Sequence, residues 1–347
     1  MNRTELIGWL REMDETRLEE LWALADEVRR VHVGDEVHLR GLIEISNHCV
    51  QRCTYCGINA TNREVERYRM TAAEILGSAR QARDLGYGTV VMQAGEDYGL
   101  TRELIADLVR QIKSETGLAV TLSLGERSDE DFLAWREAGA DRYLLRFETS
   151  DPELYASIHP SLPGRPSDRF EILRHLRRLG YEIGSGVMLG IPGQTWRILA
   201  DDLQAFVGLD LDMIGVGPYL PHPATPLGRG ELPEAPEGEQ VPSSELMTYK
   251  VVALTRLLCP RSNIPSTTAL ATLNLAQGRE LGLSRGANVV MPNLTPVQYR
   301  ALYEIYPGKA CIRETANECA ACLSGRIHRL DRQVGRGPGS RRLTHMK

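Results

Sequence analysis

No run in this 347-residue chain is apolar for long enough to span a bilayer, which takes about 20 residues, and the mean hydropathy of −0.28 is that of a soluble protein. The opening stretch MNRTELIGWLREMDETRLEEL has no apolar core of the kind a secretory leader carries. Nor is there a charge excess. With 41 basic and 46 acidic residues the net charge is −5, so no global field draws the chain to nucleic acid or to a membrane surface. A disulfide framework is missing too. Seven cysteines occur, but six fall into two tight triplets, which is poor geometry for a secreted scaffold and good geometry for metal. The seventh, Cys259, ends an apolar helical stretch and is expected to be a buried structural thiol. Together these absences predict a cytoplasmic protein.

What is present is an apolar content of 42%, enough for a sizeable core, on a length that suits an α/β barrel. The first 34 residues read as helical, with Leu6, Leu10, Leu18, Leu21 and Leu24 on one face, a covering segment. From there, short apolar or β-branched runs alternate with amphipathic helices. The runs are 37–46, 89–95, 119–125, 142–148, 182–190, 213–221, 263–270 and 287–293. Eight runs, each followed by helical sequence, predict a (βα)8 TIM-type barrel. Thr71 with Glu74 and Asp168 with Glu171 have capping-box spacing, and LGY at 85–87 and 179–181 and GAD at 139–141 are turns from helix back to strand. The acidic, proline-rich stretch 228–245 is expected to be a surface loop after the sixth strand. The expected organisation is an N-terminal helical cap over 1–36, the barrel over 37–305, a segment 306–325 with the second cysteine triplet, and a basic tail over 326–347. That tail reads as frayed and solvated, or as a docking tail for an acidic partner.

The first triplet lies in 47-NHCVQRCTYCGINA-60, where Cys49, Cys53 and Cys56 have C-x3-C-x2-C spacing. In the barrel parse they follow the first strand, at the carboxyl-end rim where barrel active sites sit. Three thiolates on an iron–sulfur cubane leave one iron without a protein ligand, free to chelate a substrate or cofactor. The alternative is a zinc knuckle that borrows a fourth ligand, His48 being the nearest. Strand alternation adds further candidates. Arg146 and Glu148 in RYLLRFE fall on one face, and opposite charges inside a barrel need partners or ligands. Gln93 on the second strand, Thr121 and Ser123 on the third, and Thr267 and Thr268 on the seventh offer neutral hydrogen bonds near the same mouth. For the threonines a satisfied core position is an equal alternative.

C-x3-C-x2-C with Tyr55 before the last cysteine resembles the signature of the radical S-adenosylmethionine (SAM) superfamily. Ala94-Gly95-Glu96 resembles the motif that receives the SAM amino group, with alanine in place of its first glycine. GIPGQT (190–195), which contains Ile191 and Gly193, resembles the backbone segment flanking the adenine. The resemblance implies a [4Fe-4S] cluster on Cys49, Cys53 and Cys56, SAM on its open iron, and cleavage of SAM to methionine and a 5'-deoxyadenosyl radical. It places Tyr55 beside SAM, Glu148 on the ribose hydroxyls and Arg169 on the SAM carboxylate.

Within the superfamily, residues 38 to 325 are similar to the [FeFe]-hydrogenase maturase HydE family. The segments that carry this are RYRMT (67–71), QAGED (93–97), VTLSLGE (120–126), EAGADRYLLRFET (137–149), GIPGQT (190–195), PHPATPL (221–227), ANVVMPN (287–293) and YPGKAC (306–311). Phe147 stands where relatives often show histidine. The likeness implies a small anionic iron–carbonyl–cyanide–cysteine substrate, met by Gln93, Thr121, Ser123, Arg146, Thr267, Thr268 and Met291. It further implies a reduced ferredoxin- or flavodoxin-type electron donor and other hydrogenase maturases as partners. The second triplet, Cys311, Cys319 and Cys322, resembles an optional family feature, an auxiliary [2Fe-2S] or [4Fe-4S] cluster; a surface zinc site or idle thiols are the alternatives. A methylornithine synthase-like rearrangement of lysine and a non-catalytic iron–sulfur or metal-complex carrier stand as competing functions. Biotin-synthase-like sulfur insertion fits worse, because no strand run contains a cysteine.

Overall fold

A computed structural model describes residues 1–231 and 234–341. Eight strands form one parallel system: β1 (Glu36–Ser46), β2 (Thr89–Ala94), β3 (Ala119–Ser123), β4 (Arg142–Leu144), β5 (Glu182–Leu189), β6 (Met213–Pro218), β7 (Val289–Val290) and β8 (Gln333–Val334). They run in the order β6-β5-β4-β3-β2-β1-β7, with β8 beside the start of β1. Helices return the chain between parallel neighbours, as parallel pairing requires. The result is the expected α/β barrel architecture.

Register explains how polar residues enter its interior. Leu42, Val91, Thr121 and Arg142 lie in one row, and Glu44, Gln93 and Ser123 in the next. Side chains alternate along each strand, so Ile43, Ile45, Val90, Met92, Val120 and Leu122 between them join the main hydrophobic core. Thr71 and Glu74 form the expected reciprocal cap, and Asp168 accepts from the Glu171 N–H.

Four expectations change. The run 263–270 forms no regular strand among the described residues. Asn263 bridges to Met213 and Pro265 to Val289, which links β6 to β7 across the gap, and the chain then turns into the helix Thr268–Leu273 with Thr267 as its N-cap. Thr267 and Thr268 therefore sit at a helix N-terminus. The regular strand in 142–148 ends at Leu144; beyond it Glu148, at φ 62°, keeps only an isolated bridge to Val187. The N-terminal helices Arg3–Arg11 and Glu15–Val33 bury Leu6, Leu10, Leu18 and Leu21 against the helices Trp196–Gly208 and Glu245–Leu258, but Leu24 points to solvent.

The fourth change concerns the basic tail. The helix Ala316–His328 runs through residue 326, and the chain from 333 to 341 crosses the amino-end base of the barrel. Pro338 O accepts from Thr89 Oγ1 (3.0 Å) and Arg142 Nη2 (2.9 Å). Gly339 O accepts from Arg40 Nη2 (3.1 Å) and Asn263 Nδ2 (3.0 Å). Gly339 has φ 56°, and a Cβ there would strike the His38 ring. This segment is held by buried donors rather than frayed; residues 342–347 lie outside the described residues. Among the described residues no helix is long and apolar enough to cross a membrane.

Candidate functional site

The loop after β1 brings Cys49, Cys53 and Cys56 to the carboxyl-end mouth, all free of disulfides. Burial raises all three thiols, that of Cys56 to about 12, and their proximity to one another adds to the rise at Cys53 and Cys56. Buried thiols without a cation keep their protons; bound iron removes that penalty. Gly95 clears the space beside them, since a Cβ there would collide with the His48 carbonyl and lie 2.9 Å from Cys49 Cβ. Three soft donors in one loop, with room kept free next to them, fit an iron–sulfur cluster. Among the described residues no three His, Cys, Asp or Glu side chains are already gathered around one point as for a single metal ion.

Below the loop lies a cavity of about 300 Å³. Its wall includes all seven residues assigned to substrate, namely Gln93, Thr121, Ser123, Arg146, Thr267, Thr268 and Met291, together with Tyr55, Cys56 and Glu148. Several buried polar atoms here have no hydrogen-bond partner: Thr121 Oγ1, Arg146 Nε and Nη2, Glu148 Oε2 and Tyr219 OH. Arg146 Nη2 lies 3.1 Å from Glu148 Oε2, within ion-pair range but without hydrogen-bond alignment. Unpaired buried polar atoms are costly, and their concentration lines this chamber with donors and acceptors that water or a polar ligand can meet.

Gly95, Glu96, Arg169, Ile191 and Gly193 are not on that wall. Glu96 lines a neighbouring cleft of about 620 Å³, where its carboxylate accepts from Gln51 Nε2 (2.9 Å), Tyr98 OH (2.9 Å) and the Glu126 N–H (3.0 Å). Its own carbonyl accepts from Val50 N at 3.0 Å, which ties the end of β2 to the cysteine loop. Arg169 is buried and already bonded to Glu126 (2.8 Å), Arg146 O (2.5 Å) and His159 (2.5 Å). Ile191 packs in a small cluster with Ile158, Tyr219 and Leu227, and Tyr55 lies against the same cluster. The segment expected beside adenine is thus next to the cysteine loop. Gly193, at φ 90°, donates its N–H to Gln240 Oε1 (3.0 Å).

Five wall residues with charge or a hydroxyl were not expected from the sequence: Arg40, Glu44, Tyr219, Tyr306 and Lys309. Arg40 and Glu44 were findable, because they alternate with Leu42 in VHLRGLIEIS as Arg146 does with Glu148. Tyr306 and Lys309 lie in YPGKAC, a loop with no periodicity to aim its side chains.

The second triplet opens on its own cleft of about 700 Å³. Cys319 and Cys322 sit one turn apart on the helix Ala316–His328, and Cys311 precedes it at φ 62°. Arg279 Nη2 is 3.2 Å from Cys311 Sγ. A hydrogen bond from Cys319, helped by Arg279, brings the Cys311 thiol down to about 6, while the Cys319 thiol is raised.

Residues 43–206 match the model of the radical SAM superfamily. Over 324 residues the chain is 48% identical to the [FeFe] hydrogenase maturase subunit HydE of Thermotoga maritima, covering 93% of this chain and 89% of that protein. The chain belongs to the HydE family. As a radical SAM enzyme of this family its implied cofactors are a [4Fe-4S] cluster and SAM, which the cysteine loop fits. HydE-type sequence also shares its frame with other chemistry. The 3-methylornithine synthase of Methanosarcina acetivorans is 31% identical over 280 residues, 80% of this chain and 75% of that protein. The crystal structure of methylornithine synthase superimposes with a TM-score of 0.81 at 26% identity, covering 96% of this chain and 94% of that one.

Proposed function

We propose that this HydE-family enzyme acts in assembly of the [FeFe]-hydrogenase active site, on a small anionic iron–carbonyl–cyanide–cysteine precursor bound in the 300 Å³ cavity. The observation that carries the reading is the wall of that chamber, in a chain so similar to HydE along its length. Arg146 and Thr121 present unpartnered donors in a space that opens on Cys56, and such donors suit an anion of this size. Cys49, Cys53 and Cys56 would hold the cluster, which would supply the electron for reductive cleavage of SAM. Glu148 takes the ribose hydroxyls and Tyr55 walls the cofactor. Gly95 and Glu96 frame its amino group, and Ile191 and Gly193 flank the adenine. Arg169 already donates to three protein partners, and the two N–H donors left on its guanidinium are the ones that reach the SAM carboxylate. The electron comes from a ferredoxin- or flavodoxin-type donor in the cytoplasm, and the other hydrogenase maturases are the natural partners. Cys311, Cys319 and Cys322 hold an auxiliary cluster, with the Arg279 guanidinium beside Cys311.

The test is anaerobic. Reduced, cluster-loaded protein mixed with SAM yields 5'-deoxyadenosine, and its absence would sink the enzymatic reading in favour of a carrier. A second reading, lysine rearrangement, draws on the 0.81 TM-score to methylornithine synthase. Incubation with lysine decides between the two, because formation of methylornithine overturns the maturase reading.

A further inference from the structure

Arg67 lies outside the cavity and takes no part in the site described above. Its guanidinium donates to four backbone carbonyls: Nη1 to Asn47 O (2.6 Å) and Ile58 O (2.7 Å), and Nη2 to Asn59 O (2.8 Å) and Asn62 O (3.1 Å). Asn47 stands two residues before Cys49, and Ile58 two residues after Cys56. One side chain therefore ties together both ends of the loop that carries the whole first triplet. Other bonds anchor the loop to its surroundings, from Val50 N and Gln51 Nε2 to Glu96, from Thr54 N and Oγ1 to Ile158 O and from Gly57 N to Ile305 O (3.0 Å), but none of these joins Asn47 to the stretch 58–62 as Arg67 does. A planar guanidinium has five donors in a fixed fork and can serve four acceptors at once, whereas a lysine ammonium has three.

All four acceptors are neutral. These bonds leave the positive charge of Arg67 uncompensated, in a half-buried position beside the cysteine loop. A cluster on three thiolates gains negative charge when it is reduced, and a nearby cation favours the more negative state. The same residue thus has a mechanical and an electrostatic handle on the site.

We infer that Arg67 is a positioning residue for the first cluster, clasping the loop in the geometry that receives it and raising its reduction potential. The inference rests on the assignment of a cluster to Cys49, Cys53 and Cys56. The test compares the parent with Arg67→Lys and Arg67→Met after anaerobic reconstitution with iron and sulfide, without SAM. Two quantities are read, the rate of iron loss to a chelator and the midpoint potential by EPR-monitored titration. Arg67→Lys keeps the charge but not the fork, so it releases iron several-fold faster at a potential close to that of the parent. Arg67→Met loses both, and whatever cluster it retains reduces at a more negative potential. Parent-like iron release from Arg67→Lys overturns the clasp, a result that does not need Arg67→Met to fold. Equal potentials for the lysine and methionine variants overturn the electrostatic part. If Cys53→Ser leaves the parent's iron content and spectrum unchanged, the cluster assignment itself fails, and that outcome is distinct from either result at Arg67.

Discussion

Lys309 forms an ion pair with Glu44 across the wall of the barrel cavity, with both side chains buried. The second carboxylate oxygen of Glu44 accepts from Asn293 Nδ2 (3.0 Å), and the Lys309 ammonium lies 5.2 Å from the ring centroid of Tyr303. A buried pair offsets its own desolvation only while both partners remain. Lys309→Met strands the Glu44 carboxylate and should cost about 3–5 kcal/mol, as breaking such pairs does. The double variant Lys309→Met/Glu44→Gln should recover much of that loss. Urea denaturation of the apo-proteins measures both, and additive losses would mean that the two residues act independently.

Glu148 presents a second, opposite trade. It is a non-glycine residue at φ 62°, a backbone conformation that costs an L-residue about 1–2 kcal/mol. Its carboxylate stands beside Arg146 with Oε2 otherwise unpartnered. Glu148→Gly should therefore raise the unfolding free energy by about 1 kcal/mol while weakening SAM binding. Glu148→Gln should weaken SAM binding without the gain in stability. Calorimetric titration of SAM beside a thermal melt separates the two effects, and tighter SAM binding by Glu148→Gly would contradict the ribose role.

The barrel was legible because alternation and helix caps are local signals. Thr121, Ser123 and Gln93 reach the cavity for the reason their spacing implied, Arg146 reaches it from beyond the end of β4, and the cysteine loop follows from the end of β1. What stayed hidden is non-local. Lys309 and Glu44 are 265 residues apart, and charged residues are rarely buried unless paired, so nothing in YPGKAC announced its burial. The run 263–270 misled for a different reason. Its threonines suit a strand, but Thr267 caps the helix that follows by accepting from the Leu270 N–H (3.3 Å), and that local bond prevails. The tail looked solvated by composition, while the carbonyls by which Arg40, Arg142 and Asn263 hold it belong to the backbone and leave no trace in residue type.

Asp202 carries a pH signature. It is fully buried, and burial raises its carboxyl to about 7 despite bonds from Ser150 N (2.5 Å), Ser150 Oγ (2.7 Å), Thr149 Oγ1 (3.3 Å) and Gln194 Nε2 (3.3 Å). The folded chain then holds a proton that the unfolded chain releases between the ordinary aspartate value of 3.8 and about 7. Stability from this group is full below the lower value and declines as pH rises through the window, by about 1.4 kcal/mol per unit at most. Asp202→Asn removes the titration. Denaturation midpoints at pH 5 and pH 7.5 should differ less in the variant than in the parent. An unchanged difference would mean that Asp202 is ionised throughout. Because Gln194 belongs to GIPGQT, the same melts report on the segment assigned to the adenine.

The two triplets are separable by their surroundings. Cys56 lines the barrel cavity and Cys53 is buried beside it, whereas Cys311, Cys319 and Cys322 open on a different cleft that shares no wall residue with that cavity. A group that must deliver an electron to SAM in the cavity belongs on the first set. Cys53→Ser should lower the rate of 5'-deoxyadenosine formation by about 100-fold or more, a loss of at least about 2.7 kcal/mol in transition-state stabilisation. Cys319→Ser leaves the cavity wall and the cysteine loop intact, so the rate should stay within about two-fold of the parent, about 0.4 kcal/mol. The comparison is made on reconstituted proteins with dithionite as reductant and with iron content measured on each. Dithionite removes any dependence on a protein donor that docks near the second cleft. Equal loss from both variants would place the second triplet in the path of the electron and reverse the ranking of the two sites.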